Sequence, residues 1–516
     1  MPPVTAPVRS AVVALDPRTP VLVGVGQVNE APGDAPLTER PEPVDLMARA
    51  VREAAADCGA TGSRLLRGAD SVRIMVPLSW GYTNPGLLVA ERLGLSPAES
   101  ALSVIGGNGP QTVVNLTAQD IAAGRLDVAV LAGAESLYTR LAARRRPDRP
   151  HLPWTIQPPH TEAPVVLGVD RRPVTETELA RGLDRPIHVY PLFENALRAW
   201  HGESIAEHQA TVAGLWARFS AVASHNPHAW TTVARHAEEI ARVGPQNRMV
   251  SFPYPKLMNA NDRVDQGAAL ILCSVAAARA AGVAEEKWVF PLSGSDAHDH
   301  WFVSERSDLR SSPAIRHAGA AALAGAGVGI DDVAHVDLYS CFPCAVQIAA
   351  GELGLPFDDV ARPLTVTGGL AFAGGPGNNY VTHSIATMAE RLREDPGAVG
   401  LVTGVGWYLT KHAVGLWSTT PPPDGFVYSS PQDEVDALPR RREVCDFEGD
   451  AEVESYTVVH DHDGRPEKGV LSLLTGDGGR TWGTVDEPEL LGELEREEGC
   501  GRRARVGADG RVELTG

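Results

Sequence analysis

A phenol, a hydroxyl and a thiol stand side by side at Tyr339, Ser340 and Cys341, inside the run His335 to Gln347, H-V-D-L-Y-S-C-F-P-C-A-V-Q. An apolar, β-leaning segment (Val336, Leu338) leads into this polar corner. Pro343 can open a helix behind it, because proline's missing N–H loses nothing in a first helical turn. Unpaired N–H groups at a helix start favour developing negative charge, which makes the corner a place for chemistry. Ser103 to Val114, S-V-I-G-G-N-G-P-Q-T-V-V, has the same grammar of strand, tight polar corner, proline and apolar helix. Two such corners predict a duplicated α/β unit with its active site where the halves meet.

Other residues can serve that site. Gly106, Asn108 and Gly109 in the first corner, the loop containing Gly374 and Gly375, and Gly404 further on are candidates for substrate or oxyanion contacts, since glycine lets an oxygen approach backbone N–H groups closely. Simple turn geometry is the alternative for each. Tyr380 is the natural second phenol beside Tyr339, with plain packing as its alternative. A phenol of pKa ~10 can act as acid or base if its anion is stabilised. His412, with Lys411, could supply a proton or position water, or could be a satisfied structural histidine. Arg144, Arg145 and Arg146 could grip phosphates through bidentate contacts, although a basic run is more often a solvated face. His298-Asp299-His300 and His460-Asp461-His462 lack an identifiable third ligand, so no metal is expected.

The elements that must position these residues alternate strand and helix. Val21 to Val25 reads as a buried strand, Pro43 to Cys58 as a helix stopped by Gly59, Ser71 to Val76 as a strand and Pro85 to Leu93 as a short helix. Leu102 to Ile105 is strand, Gln111 to Ala123 helix, and Leu126 to Ala132 an almost wholly apolar strand. That rhythm predicts parallel pairing with helices on both faces. Between about Arg140 and Met249 it fails, in a stretch rich in Pro, His, Trp and Arg with short helical patches such as Ile205 to Ser220; this reads as a cap or binding-loop region. Rhythm returns at Gly267 and runs through a glycine-dense loop, Leu364 to Gly377, to a closing hairpin at Val399 to Gly404 and His412 to Ser418. The proline run Pro421 to Pro423 marks a linker. Beyond it, short strands with glycine turns suggest a small β-barrel.

Composition sets limits on partners and compartment. The chain of 516 residues is too long for one core, and 43% hydrophobic with 22% charged residues is ordinary for a folded protein. Of the net charge of -19, the segment from Pro431 to Gly516 carries -11, from 22 acidic and 11 basic residues, which marks it as a separate module. An acidic protein repels nucleic acid and anionic lipid, so neither is an expected partner. Six scattered cysteines fit a reducing cytosol, and Cys341 and Cys344 form a lone C-x-x-C without a second pair for zinc. The proline-broken N-terminus reads as a loose leader without a secretory signal, and no apolar run reaches membrane-span length. The expected divisions are 1–139, 140–250, 251–420 and 421–516: a first half, a cap, completion of that half with the second half, and the acidic tail.

The glycine-rich corners, the D-Q-G-A-A segment at Asp265 to Ala269, the D-L-Y-S-C-F corner and the G-G-L-A-F-A-G-G-P loop, in that order, resemble the thiolase superfamily. The match is closest to its sterol-carrier-protein-thiolase branch and to the type-one thiolase-like proteins, which carry an extra C-terminal domain. The resemblance spans about Val21 to Thr419. It implies two βαβαβαββ halves in five layers, coenzyme A thioesters as ligands without a resident cofactor, and carbon–carbon bond chemistry beside the thioester. The departures are chemical. Gly106 stands where the family's nucleophilic sulfur belongs, Tyr339-Ser340 where it has Asn or His and an acid, Gly375 where it has a histidine, and the fourth corner T-G-V-G-W-Y-L-T-K-H lacks the basic cysteine. Without thiolates, ping-pong acyl transfer has no covalent carrier.

A tyrosine at position 339 also resembles the thiolase-like aldolases of steroid side-chain breakdown, which cleave 3-hydroxyacyl-CoA with an OB-fold companion; the tail barrel could be such a companion fused in one chain. Three functions stay open: a cysteine-independent carbon–carbon bond enzyme, a silent acyl-CoA binding or carrier protein, and a conventional acetyl-CoA acetyltransferase using Cys341. The expected protein is cytoplasmic, as monomer or homodimer.

Overall fold

The computed structural model describes residues 15–515, and the proline-broken leader read from the sequence lies outside them. Its strands are β1 (Pro20–Asn29), β2 (Ser71–Ile74), β3 (Glu99–Ser103), β4 (Val128–Ser136), β5 (Val165–Leu167), β6 (Met249–Ser251), β7 (Tyr254–Pro255) and β8 (Asp265–Ser274). They continue as β9 (Phe290–His298), β10 (Val333–Asp337), β11 (Val399–Gly406), β12 (Lys411–Ser418), β13 (Val427–Ser429), β14 (Gly449–His460), β15 (Pro466–Thr475), β16 (Arg480–Val485), β17 (Arg503–Val506) and β18 (Val512–Leu514).

The duplication predicted from the two corners is visible in the strand order. The first sheet runs β1-β8-β4-β2-β3-β5 and the second β10-β11-β12-β9-β13. In the first, β2 pairs β4 in parallel, while β4–β8 and β8–β1 are antiparallel. In the second, β10 pairs β11 in parallel, while β11–β12 and β12–β9 are antiparallel. Thus β1, β2, β4 and β8 correspond to β9, β10, β11 and β12. All residues of β4 and β8 are buried, which is why they read as continuous apolar runs rather than alternating ones.

Helices Gly109–Ala122 and Tyr380–Glu394 touch strands of both sheets and each other, so they form the middle layer. Helix Pro43–Asp57 covers the first sheet from outside and helix Pro313–Ala326 the second. The result is a five-layered α/β fold with one continuous apolar core.

The cap is more regular than its sequence suggests. Helices Pro186–His201 and Ile205–His225 replace the short patches, and they bury Tyr190, Phe193, Trp216 and Phe219. Pro191 inside the first helix hides it from pattern reading, because an interior proline removes one helical hydrogen bond and usually signals an end. The cap also supplies β5, which pairs in parallel with β3 and so covers the edge of the first sheet with the chain's own backbone.

The tail forms a sheet in the order β16-β15-β14-β17-β18, joined by β6 and β7 from the cap. A bridge between Thr484 and Arg511 links β16 to the β18 end, closing the strands around a separate apolar cluster that includes Val453, Tyr456, Leu471 and Leu473. Arg480, wholly buried, donates to the carbonyls of Val303, Ser304 and Arg306 and pairs with Glu454 at 2.6 Å, which clasps the tail to the α/β body. No helix among the described residues is long and apolar enough to cross a membrane.

Candidate active site

The second corner follows β10. Pro343 occupies the first turn of helix Pro343–Leu353, and Tyr339 anchors the bend by donating its N–H to the Thr403 hydroxyl oxygen of β11 at 2.9 Å. Its ring reaches across to the first corner. A Cβ built on Gly107 would stand 2.1 Å from the Tyr339 hydroxyl and 2.6 Å from the Val405 carbonyl, so only glycine permits this contact. The two corners therefore meet, as the duplicated motif predicts.

The other glycine corners close on the same point. The Gly106 N–H donates to Asn378 Oδ1 at 2.8 Å, and Asn378 Nδ2 donates to the Val76 carbonyl at 2.8 Å, tying the glycine loop to the first corner. A Cβ on Gly404 would stand 2.8 Å from Asn108 Cα, so β11 lies against the start of helix Gly109–Ala122. Gly374 lies against Gln266 of the D-Q-G-A-A segment, and the Gly375 N–H donates to the Asn261 carbonyl at 2.9 Å. Gly106 and Gly375 thus have their N–H groups committed, and Gly109 donates to the Gly106 carbonyl at 2.9 Å. The N–H groups of Gly107 and Asn108 have no partner among the described residues and sit beside the Tyr339 hydroxyl. Sequence reasoning passed over Gly107; its signal was the second glycine of the G-G pair, which a bulky partner from elsewhere required.

Tyr339 is 7% exposed and its hydroxyl has no hydrogen-bond partner among the described residues. Burial pushes its pKa well above the ordinary phenol value, reinforced by Cys341 and Tyr380 nearby, so the group stays a proton donor at neutral pH. Tyr380 meets it edge-on, with ring centroids 5.6 Å apart. The Tyr380 hydroxyl is already held by Asp337 at 3.1 Å and Thr367 at 2.6 Å. Asp337 is wholly buried and also accepts from Thr365, Ser384 and the N–H groups of Val366 and Thr367. Tyr380 therefore buttresses Tyr339 rather than offering a free second phenol.

His412 lies on the far side of β12. Neighbouring residues of a strand point to opposite faces, and Lys411 takes the face toward the corner. His412 Nε2 instead meets Asp299 at 3.2 Å and the Leu409 carbonyl at 3.0 Å, near the start of helix Pro313–Ala326. Lys411 Nζ bonds the Ile105 carbonyl and Asp170 at 3.2 Å, and its chain lies where a side chain at position 106 would go. Burial lowers its pKa, against the pull of Asp170. Asp170 also accepts from Trp407 Nε1 at 2.7 Å, and Trp407 and Leu409 hold left-handed backbone angles of 56° and 53° in the β11–β12 turn.

Cys341 is buried, and desolvation pushes its thiol up to about 12. Arg144, Arg145 and Arg146 are exposed on the cap, and Arg146 pairs with Asp148 at 2.9 Å. The structure does not bring them to the corner. His298 and His300 bond the carbonyls of Asp299 and Leu438, at 2.9 and 3.2 Å.

Comparison with known proteins agrees with this architecture. Residues 295–419 match the family profile described as thiolase C-terminal domain-like, and residues 431–511 match the thiolase-like protein type 1 additional C-terminal domain. A monomeric SCP2-thiolase-like protein type 1 from Mycobacterium smegmatis is 36% identical, with 97% of this chain and 100% of that one covered and a TM-score of 0.83. The Ltp2-ChsH2(DUF35) aldolase shares the fold at 17% identity, covering 78% of this chain and 98% of that one with a TM-score of 0.57. Human mitochondrial 3-ketoacyl-CoA thiolase does so at 17%, covering 78% and 99%, with a TM-score of 0.54. No curated protein matches the sequence. The chain belongs to the type-one SCP2-thiolase-like proteins of the thiolase superfamily.

Proposed function

We propose that the protein binds coenzyme A thioesters at the meeting point of the corners and makes or breaks a carbon–carbon bond beside the thioester carbonyl, without an acyl-enzyme and without a resident cofactor. The observation that carries this reading is the Tyr339 hydroxyl, unpartnered at the end of a largely buried side chain and pressed against Gly107 next to free backbone N–H groups. Those N–H groups are suited to hold a thioester oxygen as it becomes an enolate. In the cleaving direction the C2–C3 bond of a 3-hydroxyacyl thioester breaks and its electron pair passes to the thioester. The 3-hydroxyl loses its proton to solvent as C3 becomes a carbonyl, and Tyr339 delivers a proton to C2 and regains one from solvent. The fold shared with an aldolase supports this chemistry. Tyr380 supports Tyr339 from behind; the exposed Arg144–Arg146 run and the averted His412 have no part in it.

Replacing Tyr339 by Phe is expected to lower turnover of a 3-hydroxyacyl-CoA by ~10²–10⁴-fold, the range for a general acid, while calorimetric binding of the thioester persists. Unchanged turnover removes this mechanism. One observation favours a second reading, a silent acyl-CoA carrier: the Asn108 amide oxygen and the Lys411 side chain fill the space over Gly106 where a thiolase has its nucleophile. Binding of acyl-CoAs by the wild-type protein with no turnover across hydroxy, oxo and saturated acyl groups would decide for the carrier. Conventional acyl transfer through Cys341 is disfavoured by its buried thiol. We further propose a cytoplasmic monomer, in keeping with six free cysteines and with β5 covering the β3 edge.

A further inference from the structure

The turn after β11 aims two hydrogen-bond donors at one point beside the corner. Lys411, 4% exposed, directs its ammonium there, and the Trp407 indole N–H meets it from the other end of the turn. Trp407 holds a left-handed backbone angle of 56°, which a non-glycine residue adopts only where surrounding contacts impose it. One such contact is the Tyr190 hydroxyl, which donates to the Trp407 carbonyl at 2.8 Å. The Lys411 chain lies over Gly106 and Gly406, with Cε 3.0 and 2.9 Å from where their Cβ atoms would stand. Two converging donors, one of them cationic, form a receptor for a carboxylate.

The chain fills that receptor itself. Asp170 Oδ1 accepts from Trp407 Nε1 at 2.7 Å and from Lys411 Nζ at 3.2 Å, and among the described residues it is the only carboxylate paired with Lys411. Asp170 stands on an exposed strap rather than in the core. Val169 beside it is 71% exposed, the Asp170 side chain is 23% exposed, and Gly168 takes a left-handed φ of 100° where the chain leaves β5. Beyond Asp170 the strap is anchored again, where Trp301 Nε1 donates to the Arg172 carbonyl at 2.9 Å. Between these anchors Asp170 can swing outward with little loss of buried surface, and its departure opens the two donors to solvent. A buried ammonium without a counter-charge is costly, so whatever displaces Asp170 must bring an anion. A neutral acyl group does not. Lys411 Nζ also bonds the Ile105 carbonyl, two residues before the free N–H of Gly107, so an anion held there lies beside the thioester position.

We propose that Lys411 and Trp407 bind a carboxylate carried by the acyl group of a coenzyme A thioester, and that Asp170 is the internal group this carboxylate replaces. The substrate class is an acyl thioester whose acyl group ends in a carboxylate a few carbons from the thioester. The inference rests on the reading that the thioester lies at this corner and adds to it the nature of the acyl group. Asp170 then works as a filter, since a neutral acyl group cannot compensate Lys411 in its place.

The test is calorimetric titration of the full chain with malonyl-, succinyl- and glutaryl-CoA, each against the neutral thioester of the same carbon number, propionyl-, butyryl- and valeryl-CoA. The readout is the ratio of dissociation constants within each pair. At least one pair is expected to favour the carboxylate ~10-fold, the size of one charge-assisted hydrogen bond. Asp170→Asn removes the competing anion from an exposed position and is expected to raise that ratio a further ~10-fold. Lys411→Met is expected to bring it to ~1, and Trp407→Phe to reduce it ~3-fold or more, which keeps the test intact if Lys411→Met does not fold. Ratios near 1 in both the wild type and Asp170→Asn would overturn the proposal and leave Asp170 as a latch for the strap. So would a preference that survives Lys411→Met, or one that Asp170→Asn leaves unchanged or weakens. A carboxylate preference in binding without turnover of any thioester sustains this inference and defeats the catalytic reading. Turnover without such a preference defeats the inference alone, and no binding of any thioester defeats both.

Discussion

Cys341 illustrates how burial decides between two residues that share one bend. Its thiol is pushed up to about 12 by desolvation, so almost none of it is thiolate at neutral pH, and the thiolate is the nucleophile. Cys341→Ala is expected to leave turnover within ~2-fold, and iodoacetamide to label Cys341 far more slowly than the exposed Cys445, as peptide mass mapping would reveal. Asp296 offers a pH experiment of known sign. Burial raises its carboxyl to about 6 against the bonds from Thr112, Asn115 and Tyr428, and no cation among the described residues pairs with it. The folded state therefore holds this proton to higher pH than the unfolded chain does, whose Asp titrates near ~3.9. Its contribution is fully present below that value and is lost as pH rises through about 6. Urea midpoints of the wild type relative to Asp296→Asn should fall between pH 4.5 and 7; a constant difference would contradict the raised carboxyl.

Among the elements, the β11–β12 turn holds two of the four non-glycine residues with left-handed angles among the described residues, and the cap bonds to it. Tyr190, buried in helix Pro186–His201, donates its hydroxyl hydrogen to the Trp407 carbonyl at 2.8 Å and accepts the Leu409 N–H at 3.2 Å. Both partners lie in a turn whose Trp407 and Leu409 hold left-handed angles, which cost non-glycine residues about 1–3 kcal/mol each. Tyr190→Phe leaves two buried backbone groups without partners and is expected to destabilise the protein by about 1–3 kcal/mol. Hydrogen exchange at Gly406–Thr410 should rise in the variant, with the tail strands unaffected. A second network fixes helix Pro343–Leu353 behind Tyr339: buried Glu194 accepts from Gln347 at 2.7 Å, from Tyr254, and meets His208 at 2.6 Å. Cap and corner are thus tied into one packed unit around the bend that carries Tyr339.

For the whole molecule, the tail is a clasp as much as an appendage. Arg480 is the pin: wholly buried, it gives hydrogen bonds to three carbonyls of the α/β body and a bidentate pair to Glu454. Arg198 of the cap adds a second tie, pairing with Glu498 at 2.5 Å. Removing one partner of a buried pair costs about 3–5 kcal/mol, because the other charge is left uncompensated. Arg480→Ala is expected to lower stability by that amount and to expose the segment between β13, which stays paired with β9, and β14 to limited proteolysis, releasing a fragment that holds the tail strands. Continued protease resistance would place the clasp elsewhere.

What the sequence by itself determined is the material of local grammar. Continuous apolar runs such as Leu126 to Ala132, prolines opening helices at Pro43, Pro85 and Pro343, and two matching glycine-and-proline corners specify an α/β duplication, because period, caps and turns depend on neighbours a few residues away. The acidic, turn-rich tail was legible for the same reason. What only the tertiary structure decided is which groups meet across hundreds of residues and what remains unpaired once they do. Strand alternation turns Lys411 toward the corner and His412 away from it. Asp337 occupies the Tyr380 hydroxyl while that of Tyr339 stays free. Hydrogen-bond satisfaction is a property of the packed interior, so a free phenol beside free backbone N–H groups cannot be read from residue types, and that arrangement is what the proposed chemistry depends on.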